Sequence, residues 1–464
     1  MAILTERNHE LNRWYMILLS ISNLHMSYFI SIFNPLGLPL LQGYYGLDDA
    51  NTDIFNGNLA LFFSSGAFLG TTFLGKMSDA IGRLRMLIMI ETASAIICLM
   101  YSIPNLYVLQ FTRFLSGFVG GVNNPLSGII LVEMLPKHLA EIGNMIIYIV
   151  GASSMILSYI LPYLISKDQM TNHWRLILCW PVVFHVFRAF YLIRYFRDYE
   201  TPKWTCLKYC QEIDLRDRIK HRLQMIYQDS NLEEEITECV GNNAIPFDSS
   251  ENMNTLKGVF SSKMIKRTMS AILVNFGQEV TGVSFLIYYS TILFDSINGT
   301  GRSTTIIFGI SNIIGGLVGA GIVERYSEIS ILVYGCYIQG VCLIFMIVFV
   351  VLEMYWPLYL LVIIYMISYA SGMGATLNLY VNQICPPMAV SLGAATSWIG
   401  CALVGKICPL ALTAFGPNKL VTFFGGGAIF TGLVIKNYCY DNEEDRKKEA
   451  AKELHEVLMS PKVC

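Results

Sequence analysis

The sequence predicts an all-α membrane protein whose twelve transmembrane helices fall into two halves of six. Three observations carry this. Hydrophobic residues make up 54% of the 464 and charged residues only 14%, where a soluble domain carries about a quarter. About twelve stretches approach the roughly 20 mostly apolar residues that a spanning helix needs. Basic residues gather in alternate loops between those stretches. A chain this poor in charge cannot make an ordinary water-facing surface, so lipid must cover much of it.

In chain order, the first half holds Arg13–Leu38, Asn58–Gly75, Leu84–Ile103, Leu106–Glu133, Gly143–Ile165 and Trp174–Ile193. The second holds Thr268–Phe294, Thr304–Val323, Ile329–Val351, Tyr355–Tyr380, Ser391–Leu412 and Leu420–Ile435. The expected division is therefore an amino-terminal half over 1–193, a cytoplasmic linker over 194–267, a carboxy-terminal half over 268–438 and a cytoplasmic tail over 439–464. Within the linker, Leu215, Ile219, Leu223 and Ile226 recur at helical spacing, which predicts short amphipathic helices under the bundle. Asp441–Val457 reads as a charged, solvated helix. The first apolar segment outruns a cleavable leader, so none is expected.

Loop charge sets the orientation. Lys76, Arg83 and Arg85 lie between the second and third segments, twelve Lys and Arg lie between Arg194 and Arg267, and Arg446, Lys447, Lys448 and Lys452 lie in the tail. The stretch Gly37–Phe55 carries Asp48, Asp49 and Asp53 and no base. Positive residues concentrate on the cytoplasmic side, so both termini are expected there, with the plasma membrane as the expected location. The sequon Asn298-Gly299-Thr300 then falls outside, a candidate glycosylation site. The twelve cysteines are scattered mostly through apolar runs. Cys206 and Cys210 alone do not make a zinc site, and free thiols are the simpler reading. No phosphate-binding loop, nucleophile–base pair or metal-ligand set is evident. Neither an enzyme, a cofactor nor a nucleic-acid partner is expected, and a single chain in a lipid bilayer is expected to suffice.

Several motifs are more specific. Gly75-Lys76-Met77-Ser78-Asp79-Ala80-Ile81-Gly82-Arg83-Leu84-Arg85 joins two segments through glycines, with an acid and arginines able to pair. The fourth segment runs from Arg113 through Gly117, Gly120, Gly121 and Pro125 to Glu133 and Pro136; its small residues permit close packing. An arginine there is costly unless paired, and Glu133 or Asp79 is the expected partner. The sixth closes with Tyr199-Glu200-Thr201-Pro202-Lys203-Trp204. The seventh reads Gln278-Glu279-Val280-Thr281-Gly282-Val283-Ser284 and continues to Tyr288-Tyr289, with Gln278, Thr281 and Gly282 on one helical face. Each polar residue, alone, is as readily a helix-packing group.

Taken together these motifs resemble the sugar porters of the major facilitator superfamily, and the resemblance covers nearly the whole chain. It implies the major facilitator fold and transport of a hexose such as glucose by rocking of two halves around a central site. It also implies substrate contacts at Gln278, Glu279, Ser284, Asn312, Asn378, Tyr148 and Trp398. Amides can both donate to and accept from sugar hydroxyls, and an indole face can cover a sugar ring. A gating network is implied at Asp79, Arg83, Arg113, Glu133, Glu200, Glu324 and Arg325.

The sequence also departs from the pattern. Glu279 replaces a glutamine, Ser284 an asparagine and Tyr148 a glutamine. In the tenth segment, Gly374-Ala375-Thr376-Leu377-Asn378 lacks the family's two prolines and tryptophan, and Gln383 replaces the acid that follows. The second-half loop Glu324-Arg325-Tyr326-Ser327-Glu328 lacks paired arginines, and the carboxy-terminal Pro-Glu-Thr-Lys signature is missing. Phe29 stands where proton symporters of the family carry an aspartate, which favours facilitated diffusion. Two rival readings remain: a proton-coupled symporter using Glu279, and a nutrient sensor that transports nothing. Glu91 and Lys406 are further intramembrane charges, read as a packing acid and as a lysine snorkelling from a helix end.

Overall fold

The computed structural model describes residues 22–134, 137–164, 167–197, 200–201, 204–205, 208, 256–262, 264–323 and 325–439. Among these, regular structure is helical throughout. The amino-terminal half comprises α1 (Ser22–Ser31, Phe33–Leu38 and a wide turn Pro39–Tyr44), α2 (Asp49–Ile81), α3 (Arg83–Met100), α4 (Leu106–Met134), α5 (Lys137–Leu164) and α6 (Lys167–Cys179 and Val182–Phe196). The carboxy-terminal half comprises α7 (Ile265–Val280 and Val283–Asn298), α8 (Gly301–Val323), α9 (Glu328–Val351), α10 (Trp356–Tyr369, a widened stretch Ala370–Thr376, and Leu377–Ile384), α11 (Pro387–Phe415) and α12 (Pro417–Tyr438). The start of the first predicted segment, all of the amphipathic stretch 207–227 except residue 208, Cys206, Cys210, Glu324 and the tail helix 441–457 lie outside the described residues.

Helix ends differ from the sequence expectation for local reasons. Asp48 caps α2, its carboxylate accepting from the Asn51 backbone N–H at 2.9 Å, and Asp49 follows in the first turn, where the helix dipole favours an acid. The helix therefore begins inside the stretch expected to be loop and runs for 33 residues. At its far end Gly82, with φ of 111°, is the sole residue between α2 and α3. Its left-handed backbone suits glycine, and a Cβ there would overlap the Glu200 carboxylate. α7 breaks at Thr281-Gly282, where Gly282 has φ of 87° against Phe424. α10 lacks the family's prolines yet is still interrupted. Its widened turns over 370–376 are π-helical, a local geometry that leaves one residue per turn out of the α register.

Among the described residues, ten stretches are long and apolar enough to cross a membrane by length and composition. α2 and α3 are not among the ten, and α3 carries Arg83, Arg85 and Glu91. Both sit within the bundle: α2 lies along α4 and α11, and α3 against α4 and α6. The chain is thus a multi-pass membrane protein with its polarity inverted. Glu91, Arg113, Arg188, His25 and His185 are buried, while Phe187, Phe190, Ile96, Phe423 and Phe430 are exposed along the spans.

Two buried apolar clusters form. One is drawn from residues between Met26 and Phe196, the other from residues 271–435 together with Ala60, Met155 and Tyr159. The closest approach is between α2 and α4. Cβ atoms at Gly66 and Gly70 would overlap the carbonyl oxygens of Phe114 and Phe118, and those at Gly117 and Gly121 the carbonyls of Phe63 and Ala67. Reciprocal small residues four apart let the two backbones touch, the usual device where lipid removes the hydrophobic drive for helix association. Gly117→Leu should lower the unfolding midpoint of the detergent-solubilised protein, by about 1–3 kcal/mol or more as an overpacked interface. Gly426→Ala, where a Cβ meets nothing within 4 Å, should leave it unchanged. Equal midpoints for the two variants would contradict this packing.

Candidate functional site

The polar groups that could meet a solute gather where the two halves touch. α7 supplies Gln278 and Glu279 just before its break. Gln278 Nε2 donates to Tyr369 Oη on α10 at 2.9 Å. Glu279 is buried and accepts from Ser397 Oγ on α11 at 2.9 Å, while its second carboxyl oxygen has no hydrogen bond among the described residues. Its partner is therefore a hydroxyl. Across the joint, Tyr148 Oη on α5 donates to Asn312 Oδ1 on α8 at 2.7 Å, and Asn312 Nδ2 reaches Met155 Sδ at 3.6 Å. Trp398 packs against the apolar clusters of both halves.

All seven expected substrate residues thus lie on helices that meet at the joint, but not all point into it. Ser284 Oγ points to Cys401 Sγ at 3.5 Å, in a small group with Tyr288 and Ser64 of α2. Asn378 differs: it is exposed on the last segment of α10 and makes no hydrogen bond among the described residues. Tyr369, Ser397 and Ser64 were not singled out from sequence. A tyrosine or serine in an apolar span is too common a packing group to stand out.

The seam between halves runs from the middle of the bundle to the end carrying Tyr45. Asn34 of α1 donates to Ile287 O and Ser290 Oγ of α7 at 2.9 and 2.8 Å, and its Oδ1 accepts from the Thr291 N–H at 3.0 Å. Tyr163 of α5 bonds to Thr291. On α2 and α11, Thr413 donates to Asp53 at 2.7 Å, and Lys406 Nζ donates to Asn58 Oδ1 at 2.6 Å. Lys406 therefore crosses to another helix instead of snorkelling. Among the described residues no hydrogen bond joins the halves near the end that carries Gly82.

At the Gly82 end the expected gating residues do meet, within the amino-terminal half. Arg83 pairs with Asp79 at 2.6 Å and Glu133 at 3.4 Å. Thr201 Oγ1 donates to Glu133 at 2.6 Å. Glu200 accepts from the backbone N–H groups of Leu84 and Arg85, both at 3.1 Å, and so caps α3. Arg325 is exposed with no ion pair among the described residues. Asn298 ends α7, and its side chain lies outside the described residues.

Arg113 overturns the expected pairing. Glu133 lies twenty positions further along the same helix, about 30 Å away at 1.5 Å per residue, and α2 runs antiparallel, bringing Leu59 rather than Asp79 alongside. The guanidinium instead donates to the Phe29 and Leu59 carbonyls and sits over the rings of Phe33 and Phe63 at 4.6 and 4.4 Å. Carbonyl dipoles and ring faces supply negative potential without a carboxylate.

A second charged group lies wholly inside the amino-terminal half. Glu91 of α3 accepts from Arg188 of α6 at 2.6 Å, Asn123 of α4 at 2.5 Å and His185 of α6 at 2.8 Å. His185 continues to His25 of α1. Arg188 and His185 could have been found from sequence, since an ionisable residue within a span is a functional candidate by default. Both are hidden in an aromatic run.

Comparison with known proteins bears on this arrangement. The family profile described as "Sugar (and other) transporter" matches residues 27–439. Hexose transporter 2 of Kluyveromyces lactis is 24% identical over 303 residues, covering 63% of this chain and 52% of its own length. Monosaccharide-sensing protein 3 of Arabidopsis thaliana is 35% identical over 150 residues, 31% of this chain and 19% of its own. The chain therefore spans about half of the first relative and about a fifth of the second. The partially occluded, inward-open xylose transporter XylE from E. coli superposes with a TM-score of 0.75 at 14% identity, over 92% of this chain and 99% of that one. XylE, described as a proton:xylose symporter, superposes equally well when bound to 6-bromo-6-deoxy-D-glucose.

The placement of the two arginines makes a testable difference. In a double-mutant cycle on unfolding, Arg83→Gln with Glu133→Gln should couple by about 0.5–3 kcal/mol, as contacting residues do. Arg113→Gln with Glu133→Gln should be additive within about 0.5 kcal/mol. Coupling of the second pair would restore the pairing read from the sequence.

Proposed function

Because the chain belongs to the sugar (and other) transporter family, we propose that it moves a hexose across a membrane by alternating access, as a facilitative carrier rather than an enzyme. The observation that carries this reading is the belt of hydroxyl, amide and carboxyl groups at the joint of the halves: Tyr148, Gln278, Glu279, Asn312, Tyr369 and Ser397. Each can take part in the mixed donor and acceptor pattern that a polyol requires. They come from five helices of both halves, so a solute held there is released as the halves part. With residues 1–193 and 268–438 as the moving bodies, the seam at the Tyr45 end and the ion pairs at the Gly82 end are the natural gates.

Loop charge orients the carrier with the Gly82 end and both termini in the cytoplasm, and the plasma membrane is the membrane it fits. An impermeant thiol reagent applied to intact cells should label a cysteine introduced at position 50 and spare one at 230. Labelling at 230 would invert the topology.

Gln278→Ala and Asn312→Ala should each weaken hexose binding by about 1–3 kcal/mol, the loss expected when a buried hydrogen-bond partner is removed. Radiolabelled glucose binding to purified protein reads this directly. Wild-type affinity in both variants, with both correctly folded, would remove the proposed pocket.

Phe29 cannot titrate, so transport should equilibrate the sugar and not concentrate it. In proteoliposomes with an acid exterior, the internal concentration should level at the external one, and Glu279→Gln should retain exchange. Accumulation that Glu279→Gln abolishes would establish a proton symporter instead.

A further inference from the structure

The buried charges of the amino-terminal half form a directed chain that the sugar site does not use. His25 Nε2 lies 2.9 Å from Ser116 Oγ, His25 Nδ1 lies 3.0 Å from His185 Nε2, and His185 Nδ1 lies 2.8 Å from Glu91 Oε2. Arg188 and Asn123 hold the other oxygen of Glu91. The helices involved are α1, α3, α4 and α6, all of one half, and every one of these side chains is buried. Around His25, α3 brings Glu91 and Cys98, α4 brings Arg113 and Ser116, and α6 brings His185 and Arg188. α5 and α7 place no group within hydrogen-bond distance of it.

The hydrogens can be assigned from the partners. A glutamate already paired with Arg188 accepts only, so His185 carries its proton on Nδ1. His185 Nε2 is then an acceptor, which requires the proton of His25 to sit on Nδ1. His25 Nε2 is left with a lone pair, facing the Ser116 hydroxyl as donor. Every ring nitrogen then has a partner, and His25 Nε2 is the one whose partner, a hydroxyl, can turn from donor to acceptor. One proton from water can add at His25 Nε2, which then donates to the Ser116 hydroxyl or to the Ser116 carbonyl, 3.3 Å away. If His25 then releases its Nδ1 proton to His185 Nε2, and His185 releases its Nδ1 proton to Glu91, the added charge neutralises Glu91 and loosens its pair with Arg188. His25, Cys98 and His185 also bring ligand atoms within 4.8 Å of one another, but every ring nitrogen already has a partner, so the cluster is complete without a metal ion.

We propose that Ser116, His25, His185 and Glu91 form a proton-binding site inside the amino-terminal half, separate from the sugar site, whose occupancy sets the rate of transport. The added proton puts a cation beside Arg113, which has no carboxylate among the described residues, or frees Arg188 from Glu91. Either outcome loosens the packing of α1 against α4 and α6 and slows the movement of this half. The site lies off the joint between the halves, so it changes the rate in both directions equally and drives no accumulation.

The proposal rests on the carrier reading only for its transport readout, so two measurements are paired. Equilibrium exchange of glucose, with equal pH on both sides, should fall by about threefold or more as the pH is lowered from about 8 to about 4. His25→Asn, whose amide can replace Nδ1–H, and His185→Gln should flatten that profile, while His173→Asn, an exposed histidine outside the chain, should keep it. Infrared difference spectra of the purified protein over the same range should show an imidazole change that His25→Asn removes. An unaltered exchange profile, or an unaltered infrared change, in the chain variants overturns the proton site. If no form of the protein exchanges sugar, the carrier reading fails and the infrared arm alone decides the site. Should both substitutions prevent folding, Ser116→Ala decides: a shifted midpoint of the infrared change supports the site, and an unmoved one overturns it.

Discussion

Lipid supplies no hydrogen bonds, so a polar group carried into a span must be satisfied by another part of the same protein. The arrangement of these helices follows from that constraint. Arg113 is met by two carbonyls and two aromatic rings, Glu91 by three donors from two other helices, and Asn34 by the backbone of α7 at its second segment. Such contacts need helices that approach closely, and the glycines of α2 and α4 remove the Cβ atoms that would hold them apart.

Two polar systems result, and they differ in kind. At the joint the groups are hydroxyls, amides and one carboxyl, drawn from both halves, with bonding capacity left over at Glu279. Inside the amino-terminal half the groups are charged, drawn from one half, and almost fully paired. A solute site must have vacancies for its ligand and must come apart when the halves separate. The amino-terminal cluster lies within one half and does not come apart, which is why the two are read as separate functions.

The fold was legible because composition and loop charge are additive over many residues, and a few misplaced polar side chains do not change the sum. Helix ends were less legible, since Asp48 and Gly82 fix them through single hydrogen bonds and a single backbone angle. Among the site residues, Gln278, Glu279, Asn312 and Tyr148 stood out through motif register. Their actual partners, Tyr369 and Ser397, depend on how α10 and α11 dock on α7, which no local pattern encodes. The pairing of Arg113 failed for a geometric reason: a motif records which residues occur together in a helix, not the distance between its two ends. His25 and His185 went unnoticed because their spans read as ordinary aromatic helices until tertiary packing brings them to 3.0 Å.

The seam that joins the halves is made almost entirely of neutral groups: Asn34 with backbone and hydroxyls, Tyr163 with Thr291, Tyr148 with Asn312, and Ser64 with Tyr288. Lys406 and Asp53 take part, but each faces an uncharged partner. Mobile ions weaken attraction between opposite exposed charges beyond a Debye length of about 8 Å at physiological ionic strength, and they have little hold on dipoles in contact. Closure at the Tyr45 end is therefore nearly indifferent to the salinity of the medium that bathes it. At the opposite end Asp79 is open to solvent, so its longer-range attraction for other charges there is what dissolved ions can weaken.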